Sequence, residues 1–303
     1  LTGPGRASED AGPWTVLRLI RWTTGFFESR GVDTPRLDAE VLLADLLGLD
    51  RVRLYMNFDR PLNADELAAF RARVRRRAAR EPVAYITGRK EFYSLTFRVG
   101  PEVLVPRPET ELLVEETVRL ARKRWPAGEP LRILDLGTGC GAVAAALASE
   151  LDQARIFAID ISAPALALAR LNAEALGLAD RIRFFEGDLT SPLEGQGPGF
   201  HLAAANLPYV PRPALDDLAP EVRREPRLAL DGGPEGLDLI RRAATRVRPL
   251  LEPRGALLLE IWPTHGPALT ALGETLNYAS VRLAKDLAAR DRVAILDTAG
   301  NGD

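Results

Sequence analysis

Two short runs in this 303-residue chain combine side chains and backbone groups suited to chemistry. The first is Asp135-Leu136-Gly137-Thr138-Gly139-Cys140-Gly141, which follows an apolar strand signal and opens a helix signal. Glycines there let the backbone turn sharply and let a ligand approach closely, while a helix N-terminus offers free N–H groups. The third glycine stands two positions after the second, so the run does not fit the G-x-G-x-x-G spacing of a dinucleotide site. Asp160 closes the next strand signal, about 20 residues beyond the loop, where a carboxylate accepts both hydroxyl hydrogens of a ribose. Loop and acid together describe a site for a nucleoside-containing cofactor. Asp188-Leu189 follows a third strand signal, where an acid can hydrogen-bond an adenine amino group; a solvated loop Asp is an almost equal reading.

The second run is Asn206-Leu207-Pro208-Tyr209, directly behind the apolar stretch His201–Ala205. In a doubly wound sheet the ligand crevice lies beyond the carboxyl ends of the strands, where the strand order reverses. If this strand neighbours the first, Asn206 faces the glycine loop across that crevice. An Asn side-chain oxygen and one backbone carbonyl then accept both hydrogens of a planar NH2 group, and Tyr209 packs flat against it. No strong base is needed, because an amide nitrogen loses its proton easily only once alkylated. Positioning, and acceptors aimed at the nitrogen as positive charge develops, supply the catalysis. The plainer reading is an Asn-Pro turn at a strand end.

The elements that must position these runs follow from periodicity. From Glu109 onward strand and helix signals alternate. Strands are expected at Arg132–Leu136, Arg155–Ile159, Ile182–Glu186, His201–Ala205, Ala256–Ile261, Val281–Leu283 and Val293–Leu296, with helices at Glu109–Arg124, Ala142–Glu150, Pro164–Leu176 and Leu237–Leu250. Such alternation means a mostly parallel sheet covered on both faces. The first third reads as helices, including one opened by an Asn63/Glu66 capping box. That helix ends in Arg71, Arg73, Arg75, Arg76, Arg77 and Arg80, a solvated cationic face on the simplest reading and an RNA contact on a sharper one. Between these regions Ala84–Ile86, Glu91–Phe97 and Val103–Val105 read as short extended pieces.

Composition narrows the field. With 46% hydrophobic and 27% charged residues the chain has an ordinary globular composition, enough for a full core. Forty Lys+Arg against 42 Asp+Glu give a net charge of −2, which argues against a dedicated nucleic-acid or membrane-surface binder. One cysteine and two histidines are too few for an intramolecular disulfide or an ordinary zinc site. Leu1–Pro13 is polar and lacks the apolar core of a signal peptide, and no apolar run reaches membrane-spanning length, so a cytoplasmic location is expected.

Four further segments carry a resemblance. Glu81-Pro82-Val83-Ala84-Tyr85-Ile86-Thr87-Gly88, Val103-Leu104-Val105-Pro106-Arg107-Pro108-Glu109-Thr110-Glu111, Asn206–Tyr209 and Glu225–Gly233 continuing to Gly236-Leu237 resemble the PrmC/HemK family, the protein-(glutamine-N5) methyltransferases that act on peptide-chain release factors. The resemblance covers nearly the whole chain. It implies an α/β fold: a Rossmann-like class I methyltransferase domain with a mostly parallel seven-stranded sheet, preceded by a small all-helical N-terminal domain and a β-hairpin linker. The corresponding divisions are 1–82 for substrate recognition, 83–108 for the linker and 109–303 for methyl transfer. It further implies S-adenosyl-L-methionine as cofactor, with Asp135, Leu136, Gly137, Thr138 and Gly139 around its methionine part, Asp160 at its ribose, and Asp188 and Leu189 beside its adenine. Asn206 and the Leu207 carbonyl would grip the substrate amide in contact with the cofactor, and Pro208 and Tyr209 would shape the pocket. The implied partner is a class-1 release factor presenting a Gly-Gly-Gln glutamine to a monomeric enzyme, without membrane or direct nucleic-acid binding. The chain departs from the family pattern at Leu207, where proline is usual, and at Trp262 and His265, where glycine and glutamine are usual. His265 reads as a partly exposed loop histidine. The alternatives are a nucleic-acid amino-methyltransferase acting on adenine N6 or guanine N2, and a cofactor-binding module without catalysis.

Overall fold

The computed structural model describes residues 12–195 and 197–298; the polar start of the chain lies outside that range up to residue 11. By their contacts the residues divide into two compact units, with the division between Thr87 and Gly88.

The first unit is helical: α1 (Val16–Glu28), α2 (Pro35–Leu47), α3 (Arg51–Met56), α4 (Ala64–Ala78) and α5 (Val83–Thr87). Each start has a local cause. Thr15 and Asp50 cap α1 and α3, Pro35 opens α2, and at α4 both halves of the Asn63/Glu66 capping box form. Apolar stripes meet in one core around Phe27, Leu42, Leu43, Leu54 and Phe70. The arginines of α4 are a solvated face only in part: Arg71 and Arg75 are exposed, and others are paired. Arg77 is buried in an ion pair with Asp38, Arg73 pairs with Asp45, Arg76 with Glu81, and Arg80 donates to the Gly31 carbonyl. A buried cation persists only with such a partner, so these charges fasten α4 to its neighbours. Residues 84–86 are helical where an extended piece was expected, because Ile86 turns into this core. The same expectation fails at Val103–Val105, which join no sheet.

The second unit opens with an antiparallel hairpin, β1 (Arg89–Phe92) and β2 (Leu95–Arg98), and continues into α6 (Glu111–Arg124). There follow β3 (Leu131–Leu136), α7 (Ala142–Glu150), β4 (Ala154–Asp160), α8 (Ala163–Ala175), β5 (Ile182–Glu186) and β6 (Phe200–Ala205). The chain then runs through α9 (Asp238–Val247), β7 (Leu251–Glu260), α10 (Gly266–Thr275), β8 (Ser280–Lys285) and β9 (Asp291–Asp297). The seven strands β3 to β9 form one sheet in the order β5-β4-β3-β6-β7-β9-β8, parallel except for β9. This is the expected mostly parallel sheet. Its central strands are buried at every consecutive position from Ile133 to Leu136 and from Leu202 to Ala205, as a sheet covered on both faces requires. On one face Leu134, Leu136, Ala203, Ala205, Leu257 and Leu259 meet Ile240, Ala243 and Val247 of α9 and Leu269 of α10.

The order places β6 beside β3, on the side away from β4. The direction of winding therefore reverses between β3 and β6, and a crevice opens at their carboxyl ends.

Candidate active site

Both chemical runs meet at that crevice. Leu136 pairs with Ala205, so the glycine loop and Asn206 leave neighbouring strands at one level. At Gly137, which has a φ of +71°, a Cβ would stand 3.1 Å from the Leu207 side chain and 3.5 Å from the Asn206 carbonyl oxygen. Glycine here allows both the left-handed backbone and the close approach. The Leu207 side chain is buried over this turn, which is what leucine provides where proline is usual.

The resulting cavity has a volume of about 360 Å³, the scale of a small-molecule site. Gly137, Thr138, Gly139, Asp160, Asp188, Leu189, Asn206, Leu207 and Pro208 all line it. Asp135 and Leu136 are buried behind the loop, and Tyr209 packs beside the cavity.

Asp135 accepts from the Thr138 hydroxyl at 2.6 Å and the Ala144 N–H at 3.1 Å, so its carboxyl ties the loop to the first turn of α7. Complete burial pushes its pKa up to about 7 against those two donors. Asp160 accepts from the Gly139 N–H at 2.8 Å through Oδ2 and from the Ser162 N–H at 2.9 Å through Oδ1. Burial raises its pKa, and these N–H groups oppose the rise. Each oxygen keeps a further lone pair for a hydroxyl donor in the cavity. Asp188 is not a free solvated acid: Arg242 and Arg246 of α9 both donate to its carboxylate, the latter at 3.1 Å. Cys140 is buried with its pKa pushed up to about 12, which keeps it a thiol and unreactive.

Asn206 donates through Nδ2 to the Thr110 hydroxyl at 3.1 Å, leaving Oδ1 unclaimed by that bond. Tyr209 donates its hydroxyl to Oε1 of Glu260 at 2.8 Å and lies 6.3 Å from the Trp262 ring, centroid to centroid. Burial and the Glu260 carboxyl both raise the Tyr209 pKa, so the phenol stays protonated. His265 is buried, not a partly exposed loop residue. Its Nε2 lies 2.9 Å from the Glu235 carbonyl, and its ring closes on the Gly236 turn that packs against the Tyr209 backbone. Burial lowers its pKa.

Residue reasoning on the sequence left three contributors without a role. Thr110 and Glu260 surround Asn206 and Tyr209, and Asn172 of α8 ties the glycine loop to the hairpin by hydrogen bonds with the Cys140 carbonyl and both backbone groups of Arg98. Thr110 stands within a run already quoted, whereas nothing local marks Asn172 or Glu260. The Pro106-Arg107-Pro108 segment is held by Glu225, which accepts from the Val105 N–H at 2.9 Å and pairs with Arg107.

A seven-stranded sheet of this order, with a glycine turn, a following acid and an asparagine run at its switch point, defines a class I methyltransferase. Residues 18–88 match the family described as PrmC N-terminal domain, and residues 133–226 match a methyltransferase domain family. The chain is 41% identical over 289 residues to a release factor glutamine methyltransferase of Rhodopirellula baltica, covering 95% of this chain and 97% of the relative. It is 43% identical over 281 residues to the enzyme of the same name from Geobacter sulfurreducens, covering 92% and 95%. Among solved structures, the catalytic domain of hMettl16 in complex with a MAT2A 3'UTR hairpin shares the fold at a TM-score of 0.56 and 14% identity, covering 74% of this chain and 82% of that one. The chain belongs to the release factor glutamine methyltransferase family.

Proposed function

We propose that this protein transfers a methyl group from S-adenosyl-L-methionine to the side-chain amide nitrogen of the Gly-Gly-Gln glutamine in class-1 release factors. The observation that carries the reading is the orientation of Asn206, whose nitrogen is taken by Thr110 and whose oxygen is left for a donor in the cavity.

The residues present fit the cofactor. The glycine turn is a cradle that a Cβ at Gly137 would fill, and the buried Asp160 carboxylate keeps lone pairs for ribose hydroxyls. Asp135 and Thr138 hold the turn in shape; Leu189, which lines the cavity, would border the adenine, and Asp188 would serve there by anchoring α9 through its arginines. When bound, the cofactor supplies an electrophilic sulfonium methyl. Asn206 Oδ1 and the Leu207 carbonyl accept the two hydrogens of the glutamine amide and fix its nitrogen for in-line attack. Held in this way, the amide nitrogen would take the methyl that the cofactor supplies, the pair of the broken S–C bond staying on sulfur, and would then release a proton to water. The two acceptors strengthen their hold as positive charge grows on nitrogen. Pro208 and Tyr209 close the planar group in from one side.

The helical N-terminal unit is assigned to selecting the protein substrate, with the enzyme acting as a cytoplasmic monomer. Pairing of Arg73, Arg76 and Arg77 within the helical unit supports a protein substrate over RNA, since paired cations release few counterions from phosphates. The experiment is transfer of labelled methyl to a purified class-1 release factor, beside its Gly-Gly-Ala variant and total RNA. Label on the wild-type factor alone is the expected outcome; label on RNA and on neither protein would move the assignment to the nucleic-acid alternative.

A further inference from the structure

The stretch Val105-Pro106-Arg107-Pro108 leads to Thr110, the residue that holds Asn206, yet has little of its own to keep it in place. Pro106 and Pro108 carry no N–H, and Val103–Val105 join no sheet, so no strand ladder fixes this backbone. Glu225, 120 positions beyond Val105, does so instead. Its Oε2 accepts from the Val105 N–H at 2.9 Å, and its Oε1 accepts from the Arg107 guanidinium. The Glu225 side chain is 1% exposed. A carboxylate that deep is costly unless donors meet both oxygens, and both partners here are donors.

The same acid joins a ring of segments on the Asn206 side of the cavity. The Arg107 carbonyl accepts from the Thr110 N–H at 3.1 Å, closing the turn Pro108–Thr110. The Thr110 hydroxyl then accepts from Asn206 Nδ2 at 3.1 Å. From Asn206 the chain runs to Val210, which donates to the Leu230 carbonyl and accepts from the Gly232 N–H, both at 3.0 Å. Leu230 and Gly232 stand just beyond Glu225 in the chain, so the ring closes on that residue. Pro106, Thr110, Asn206, Pro208, Pro226 and Ala229 all line the cavity. The glycine turn is held separately, by Asp135, Asp160 and Asn172. We infer that Glu225 is a positioning residue for methyl transfer: by fixing Val105 and Arg107 it sets the Thr110 hydroxyl and, through it, the place of the Asn206 amide. This deepens the proposed reaction and rests on it for the identity of the substrate. Without the carboxylate the stretch before Thr110 shifts, and Asn206 Oδ1 loses the fixed position from which it accepts. A displacement of about 1 Å at such a group costs up to ~100-fold in rate.

The test uses the full-length protein. Turnover on a class-1 release factor is measured with the S-adenosylmethionine dissociation constant and the melting temperature. Glu225→Gln keeps the side-chain volume but offers one oxygen to two donors, and Arg107→Met removes the guanidinium from the other end of the pair. Both are expected to lower kcat at least ~10-fold, with cofactor affinity within about three-fold of wild type. Thr110→Val, which keeps the shape and removes the hydroxyl, is the discriminating background. There Glu225→Gln should lower kcat by less than about two-fold more, because its effect passes through that hydroxyl. A merely structural role would lower kcat by the same factor in both backgrounds, or lower the melting temperature alone. A direct contact with the release factor would raise KM and leave kcat unchanged. Any of those three results overturns the inference. Should Glu225→Gln fail to fold, Arg107→Met in the same two backgrounds decides it by the same criteria. If the wild-type enzyme does not methylate the factor, the substrate reading falls by itself. The positioning is then judged from NMR of the Asn206 side-chain amide: NH2 contacts to Thr110 that are present in wild type and lost in Glu225→Gln uphold it, and contacts unchanged by that substitution overturn it.

Discussion

Asn206 and Asp135 show how single groups are set by what they touch. The Asn206 amide is held at its nitrogen end, so removing the side chain deletes a prepared acceptor and leaves the cradle around Gly137 and Asp160 intact. Asn206→Ala is therefore expected to lose at least ~100-fold in turnover while binding S-adenosylmethionine normally, measured by steady-state kinetics beside calorimetry. Normal turnover in that variant would take Asn206 out of the mechanism. Asp135 carries a pH dependence. Its native pKa of about 7 lies above the ordinary 3.8, so the folded protein binds more protons than the unfolded chain between those values. The contribution of this group to stability thus falls as pH rises through that window and is flat above it. Asp135→Asn, which has no charge to desolvate, should gain melting temperature relative to wild type on going from pH 5 to pH 8. A constant difference between the two proteins would show that the carboxyl is not perturbed.

Among the elements, the hairpin and the glycine loop are far apart in the chain yet share one buried side chain. Asn172 on α8 accepts from the Arg98 N–H at 2.8 Å and donates to the Arg98 and Cys140 carbonyls at 3.1 and 2.9 Å. Asn172→Ala leaves three backbone groups without that partner, and is expected to cost about 2–3 kcal/mol on unfolding. It should also raise the cofactor dissociation constant, because the turn that carries Gly139 loses its support. Chemical denaturation and cofactor titration of one preparation check both effects; a stability loss with unchanged affinity would make the contact purely architectural. Helix α10 illustrates the limits of local reading. Its run opens Gly266-Pro267 and contains Gly273, a poor helix by propensity. A Cβ at Gly266 would meet Leu283 at 2.7 Å, and one at Gly273 would meet Val281 at 2.2 Å, so these glycines exist to let the helix lie close on β8. That partner cannot be seen within the run itself.

For the molecule as a whole, the question is whether its many arginines recognise phosphate. The net charge is −2, and Arg73, Arg76 and Arg77 of α4, with Arg80 just beyond it, are engaged within their own unit. Turnover on a protein substrate should then fall by less than about ten-fold between 50 and 200 mM salt, where binding dominated by six to ten phosphate contacts would lose roughly 10³–10⁵. A loss on the latter scale would favour nucleic acid as the true ligand.

What the chain determines by itself is short in range. Alternating and helical apolar patterns marked all seven strands of the sheet to within a few residues, except for the start of β7, and the Asn63/Glu66 pair marked the start of α4, because these signals act between neighbours in sequence. The glycine run, Asp160 and the Asn206–Tyr209 run were legible for the same reason: each is a local motif at a strand end. What only the tertiary structure decided is which groups stand behind them. Thr110 lies 96 positions from Asn206, and Glu260 lies 51 from Tyr209. They meet because β6 is inserted between β3 and β7, and that order is settled by packing of the whole sheet. Packing likewise buried His265 and, in the helical unit, turned Arg77 inward to Asp38, since burial and pairing are properties of an assembled core and not of any run of residues.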